Sequence, residues 1–297
     1  MKIYINGKFF EKDDAKISVF DHGVLYGDGI FEGIRAYNGR IFRLEDHLQR
    51  LAESANAILL KLPITIKEIE KAIIETVRLN GLKDAYIRLV VTRGVGDLGL
   101  DMRKCKGGAT LFIIADRIEL YPEEFYEKGL TVITSTIRQK GLDQVTPGVK
   151  SLNYLANILA RAEATAAGAQ EAILLNASGH VSECSGDNLF YAKNGKIFTP
   201  PTSAGILVGV TRNVVMELCE KKLGTKVIER NFPRYDLYGA DEVFLTGTGA
   251  EVIAAVKIDG RIIGKGVAGP TTKTLIKHFR DYANSSGTPV YEAVKAK

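Results

Sequence analysis

Arg93-Gly94-Val95-Gly96-Asp97-Leu98-Gly99-Leu100-Asp101 contains a literal Gly-x-Gly-x-x-Gly, and the way it is read decides the fold. It follows Ala85 to Arg93, an apolar run with strand character, and Asp116 ends the next such run, where an acid gripping a ribose would stand. A dinucleotide-binding unit, however, needs a crossover of a dozen or more residues, usually a helix, before the chain can return parallel. Leu100 to Gly108 is too short and too polar for one. The glycines therefore read as a loop between antiparallel strands, Ala85 to Arg93 and Thr110 to Arg117, placed to close over a substrate. The fold class that follows is α+β rather than a regular βαβ alternation.

Working outward, Lys2 to Phe10 and Phe31 to Phe42 read as hairpins around Asn6-Gly7 and Asn38-Gly39, because Asn-Gly supplies the positive φ angles of a type I′ turn. Leu44 to Leu60 has helical spacing, and Thr65-Ile66-Lys67-Glu68 is a capping box opening a second helix that Gly81 closes. Tyr121-Pro122-Glu123-Glu124 reads as a linker, so 1–120 form a small α+β domain and 121–297 a larger, sheet-rich, barrel-like one. In the larger domain strands are expected at Leu130 to Ile137, Glu171 to Asn176, Asn188 to Lys193, Lys196 to Thr199 and Asp241 to Thr246. Helices are expected over Leu152 to Ala167, Thr211 to Leu223 and Thr272 to Ala283. The last dozen residues are expected to fray.

With 40 Lys+Arg against 35 Asp+Glu in 297 residues, a net charge of +5 is too balanced for a nucleic-acid surface, and small anions are the expected ligands. Cys105, Cys184 and Cys219 are distant and odd in number, which argues against disulfides and zinc and for a reducing cytoplasm. The four histidines lack metal-ligand spacing, so no metal is expected. No apolar run reaches membrane-span length, and Met1-Lys2-Ile3-Tyr4-Ile5 enters strand alternation at once, so a soluble, unprocessed protein is expected.

Four segments carry candidate chemistry. In Gly148-Val149-Lys150-Ser151-Leu152-Asn153-Tyr154 a lysine stands just before a predicted helix with a phenol four residues on. Its ammonium, with a reference pKa of ~10.4, becomes a nucleophile only where it is desolvated or surrounded by positive charge. Gly205 to Arg212 leads a glycine turn into a helix whose first N–H groups suit a phosphate. Thr246-Gly247-Thr248-Gly249-Ala250-Glu251 offers hydroxyl and backbone donors, and Val181 to Phe190 sets Glu183 in a small-residue turn. Taken singly, each has a plain structural reading: a solvated lysine, a helix cap, a strand connection, a turn carboxylate.

In combination they resemble the branched-chain-amino-acid aminotransferases, of the fold type IV pyridoxal-phosphate enzymes. The likeness also covers Tyr26-Gly27-Asp28-Gly29-Ile30-Phe31-Glu32-Gly33-Ile34-Arg35, His47-Leu48-Gln49-Arg50-Leu51, Tyr86-Ile87-Arg88 and Arg93 to Asp101. The resemblance implies that Lys150 forms the internal aldimine with pyridoxal 5′-phosphate and later shuttles the proton. It implies that Glu183 pairs with the pyridine nitrogen, Tyr154 with O3′, and Arg50, Val210, Thr211 and Thr248 with the phosphate. Tyr86 and Arg88 would serve substrate carboxylates, Gly249 and Ala250 the α-carboxylate, and Tyr26, Phe31 and Gly33 the walls of the side-chain pocket. The implied reaction is a ping-pong exchange between L-leucine, isoleucine or valine and 2-oxoglutarate, in a cytoplasmic homodimer or higher homo-oligomer. Gly249 where Ala is usual and Met102 where some relatives have proline loosen the side-chain preference. The alternatives are a D-amino-acid transaminase or aminodeoxychorismate lyase of the same fold, and a catalytically silent cofactor-binding protein.

Overall fold

A computed structural model describes residues 1–118 and 120–291, which pack as two compact units. The first unit holds 1–118, 149–153 and the tail from Ala283; the second holds the intervening segments up to Tyr282.

The first unit opens with the hairpin β1 (Lys2–Ile5) and β2 (Lys8–Glu11), turned at Asn6 and Gly7 with φ of 44° and 88°. After α1 (His22–Tyr26) comes the second expected hairpin, β3 (Gly29–Tyr37) and β4 (Arg40–Ile41), turned at Asn38 and Gly39. Helices α2 (Leu44–Ala57) and α3 (Ile66–Leu79) follow, and α3 begins in the full Thr65/Glu68 capping box. The buried stripe Ile69, Ile73 and Val77 of α3, with Leu44, Leu48 and Leu51 of α2, joins Ile30, Ile34, Ile87 and Ile113 of the sheet in one core. Strands β5 (Ala85–Thr92) and β6 (Thr110–Asp116) pair antiparallel, as the refusal of the dinucleotide reading requires. A Cβ at Gly94 would lie 1.9 Å from the Gly108 carbonyl oxygen, so this loop's first glycine is required by close approach. The sheet runs β4-β3-β5-β6-β1-β2.

The second unit comprises α4 (Glu123–Lys128), β7 (Leu130–Arg138), α5 (Leu155–Ala166), β8 (Glu171–Leu175), β9 (Val181–Cys184), β10 (Asn188–Lys193) and β11 (Lys196–Thr199). It continues through α6 (Val210–Leu223), β12 (Ile228–Glu229), α7 (Arg234–Tyr238), β13 (Glu242–Gly247), β14 (Glu251–Ile258), β15 (Arg261–Ile262) and α8 (Pro270–Ser285). The strands run β12-β11-β10-β13-β14-β7-β8-β9, with β15 on β14, and β7 is parallel to both neighbours. Glu183, on the end strand β9, hydrogen-bonds Asn188 on β10, so the sheet curls back on itself. Beyond it β16 (Thr288–Pro289) adds to β4 at the edge of the first sheet.

Four sequence expectations are corrected. The predicted linker is a buried Tyr121, whose hydroxyl meets Arg161 and Glu171, followed by Pro122 capping α4. The helix expected from Leu152 starts at Leu155, because Lys150 and Leu152 spend their backbone hydrogen bonds on β3 instead. The turn expected around Glu183 is a strand whose four residues are all buried. The expected fraying does not extend to Thr288–Val290, since β16 pairs β4 and Val290 is fully buried; residues 292–297 lie outside the described residues.

Candidate active site

In the first unit, Lys150 rides on an extended segment laid against β3. Phe31 N–H donates to the Lys150 carbonyl at 3.0 Å, Leu152 N–H to Gly29 at 2.9 Å, and Lys150 N–H to Ser54 Oγ at 3.2 Å. With its backbone held on both sides, the half-buried side chain is aimed over the Phe31 ring, Nζ 4.5 Å from the centroid. Burial and the Arg50 guanidinium hold the Lys150 ammonium down at about 8. An amine that sheds its proton so near neutrality is the reactive form that imine chemistry needs.

Arg50 sits on α2 with its fork on Glu32 of β3: Nε reaches Oε1 at 2.8 Å and Nη2 reaches Oε2 at 2.7 Å. His47, one turn earlier, meets Glu32 Oε2 through Nδ1 at 2.8 Å. Burial by itself would raise the Glu32 carboxyl, but the Arg50 charge and the His47 hydrogen bond outweigh it and hold it at about 2. Burial in turn depresses His47, which favours the neutral ring, with Nδ1–H as donor. Neither Glu32 nor His47 was singled out for a role by sequence. The signal was present, since the alternation Ile30-Glu32-Ile34-Ala36 puts an acid in an otherwise apolar inward face.

Across β3 and β5, Arg88 Nη2 donates to the Tyr86 hydroxyl at 3.0 Å, and its guanidinium carbon lies 4.6 Å from the Phe31 ring centroid. A Cβ at Gly33 would come within 2.2 Å of that same hydroxyl, so only glycine admits this phenol. Tyr26 accepts from the Gly99 N–H at 2.8 Å, and His22 Nε2 meets the Asp97 carbonyl at 3.0 Å, tying the glycine loop to α1. Lys150, Arg50, Phe31, Gly33, Tyr86 and Arg88 are thus gathered in this unit.

In the second unit, Glu183 is buried on β9. It accepts from Gln139 Nε2 at 2.7 Å, Leu207 N–H at 3.0 Å and Asn188 Nδ2 at 3.2 Å. Gln139 and Asn188 were missed by sequence, because nothing in the pattern of one strand names the partner that another brings beside it. Val210 and Thr211, both buried, form the first turn of α6, where backbone N–H groups lack intrahelical acceptors. Thr248, Gly249 and Ala250 form the turn from β13 to β14, and near the end of β13 the Thr246 Oγ1 is buried with no hydrogen-bond partner among the described residues. Tyr154 is the residue preceding α5, its ring 5.8 Å from the Lys140 ammonium. Residues 149–153 are not helical, so Lys150 and Tyr154 are joined by irregular chain.

In the first unit an amine near neutrality suits an electrophile, and in the second a helix start with open donors suits an anion. The model of the family described as amino-transferase class IV matches residues 29–258. The chain is 50% identical over 292 residues to a Methanocaldococcus jannaschii protein named for branched-chain-amino-acid aminotransferase, covering 98% of this chain and 100% of the relative. Among solved structures it is similar to the branched-chain amino acid aminotransferase of Escherichia coli, with 35% identity, a TM-score of 0.91 and coverage of 96% and 95%. It is likewise similar to the T.th. enzyme of the same name, solved with pyridoxamine 5′-phosphate, at 38% identity, a TM-score of 0.91 and coverage of 96% and 94%. On this agreement of sequence, fold and side-chain chemistry, the chain is an enzyme of the amino-transferase class IV family and belongs with the fold type IV branched-chain-amino-acid aminotransferases.

Proposed function

We propose that this enzyme exchanges the amino group of L-leucine, isoleucine or valine with 2-oxoglutarate in a ping-pong cycle dependent on pyridoxal 5′-phosphate. The observation that carries the reading is the Lys150 amine, pinned through its backbone to β3 and brought by burial and Arg50 to about 8. The residues fit the cofactor chemically, with the orphaned Thr246 hydroxyl beside the Thr248 turn and the open first turn of α6 suited to a phosphate. Lys150, Arg50, Tyr154, Glu183, Val210, Thr211 and Thr248 would hold it. When bound, the cofactor supplies an electron sink for a substrate carbanion.

The rest of the work falls to side chains. The Lys150 amine would take the proton from the substrate Cα and hold it for return at C4′ of the cofactor. The Glu183 carboxylate, fixed by three donors, keeps a proton on the ring nitrogen. Tyr154 donates to the ring oxygen, and Arg50 offers its guanidinium edge to the phosphate. Phe31, Gly33 and Tyr26 line the apolar side of the substrate site, Arg88 with Tyr86 answers the distal carboxylate of glutamate, and Gly249 and Ala250 present N–H groups to the α-carboxylate. A solved T.th. relative complexed with N-(5′-phosphopyridoxyl)-L-glutamate supports the choice of cofactor and of glutamate as a substrate. By the same kinship we take the enzyme to be a cytoplasmic homodimer or higher homo-oligomer.

Steady-state assays with leucine and 2-oxoglutarate test the reading. Lys150→Ala is expected to stay folded and lose at least about 10³-fold in turnover. Turnover retained in that variant sinks the reaction, and a wild-type enzyme that accepts D-alanine but not leucine overturns the substrate.

A further inference from the structure

We propose that Glu32, locked in place by His47, is a positioning residue that fixes the direction of the Arg50 guanidinium and so determines how strongly the enzyme grips the phosphate of its cofactor. This rests on the function proposed above and adds two residues to it. In the geometry both Glu32 oxygens are engaged. Oε1 accepts from Arg50 Nε, while Oε2 accepts from Arg50 Nη2 and from His47 Nδ1. Glu32 is fully buried, His47 is 1% exposed and Arg50 9%, so water cannot substitute for any of these bonds.

Two consequences follow from chemistry. Of the five N–H donors of a guanidinium, two are committed to Glu32 in parallel, and the plane cannot turn without breaking both. The other edge of Arg50 therefore keeps one direction, which an arginine on a helix surface would not. Second, Glu32 balances the Arg50 charge beside Lys150: Arg50 depresses the lysine, Glu32 opposes that, and Tyr86 and Arg88 act on it from β5 with opposite signs. Glutamine at position 32 would turn an N–H group toward a donor of Arg50 or of His47, breaking the fork and leaving the guanidinium charge uncompensated.

The test compares binding of pyridoxal 5′-phosphate and of pyridoxal, which lacks the phosphate, to the full chain freed of cofactor. Absorbance is followed, and attachment at Lys150 is verified by borohydride capture and mass spectrometry. In Glu32→Gln the preference for the phosphorylated form is expected to shrink about tenfold or more, the worth of one charge-assisted hydrogen bond, while pyridoxal binding holds. The pH midpoint of pyridoxal capture should move down, since an anion beside the amine has been lost. His47→Leu should weaken the preference in the same direction. His47→Asn, which keeps a donor near the Nδ1 position, should restore it, and this pair carries the test should Glu32→Gln fail to fold. An unchanged preference in Glu32→Gln and His47→Leu, with wild-type captured at Lys150 and favouring the phosphorylated form, overturns this inference alone. A wild-type chain that captures neither aldehyde at Lys150 overturns the proposed function together with it.

Discussion

Two buried carboxylates, one in each unit, are held in opposite ways. Glu32 sits between a guanidinium and an imidazole, so its charge is matched on the spot and the cluster is close to neutral. Glu183 accepts from two side-chain amides and a backbone N–H, neutral donors that orient the anion, and the Lys140 ammonium acts on it electrostatically. The first arrangement braces its carboxylate with a charged fork and a ring; the second aims its carboxylate with neutral amides and leaves the charged neighbour to act electrostatically. Burial alone therefore does not identify a chemically active acid. The charge state of its hydrogen-bond donors does.

The comparison is broken most directly by removing each acid. Glu183→Ala is expected to lower turnover with leucine and 2-oxoglutarate by about 10²- to 10³-fold, the usual scale for a buried electrostatic stabiliser, while circular dichroism stays native. A loss under threefold would mean that the charge kept on β9 has no chemical use.

Glu32 should instead appear in stability. Its folded-state value of about 2 lies below the ordinary 4.5, so its contribution, about 3 kcal/mol, is present above pH 4.5 and is lost as pH falls toward 2. Urea unfolding of the wild type and Glu32→Gln from pH 6 downward should show the gap between them closing over that window. A constant gap would deny the ion pair its role.

Gly209→Ala sharpens the other side. The new Cβ would stand 2.1 Å from Asn188 Oδ1, forcing away the amide that donates to both Glu183 and Leu207. A cost of about 1–3 kcal/mol in unfolding free energy is expected, with a smaller drop in turnover than Glu183→Ala gives. Turnover equal to wild type would mean that Gln139 and Leu207 suffice to hold the carboxylate.

Local chemistry was legible in the sequence and tertiary pairing was not. Asn6-Gly7, Asn38-Gly39 and the Thr65 capping box form as expected because each is decided within four residues. The refusal of a dinucleotide site held because Leu100 to Gly108 cannot span a crossover, a matter of length alone. What failed was decided at a distance. Lys150 to Leu152 prefer the backbone groups of Gly29 and Phe31 on β3 to a helical start, and β9 is a strand because β8 offers it a ladder. The residues that brace Arg50 and Glu183 come from other elements, so only a folded chain reveals Glu32, His47, Gln139 and Asn188 as partners.

The five residues 149–153 belong to the first unit although the chain both enters and leaves them through the second. Severing the polypeptide near position 120 would thus yield an amino-terminal fragment deprived of its own lysine and of the ribbon that caps β3. The first unit is no inheritable module. Gene fission, shuffling or truncation at that point would separate the amine from the bracket that tunes it, so selection must keep the whole reading frame intact.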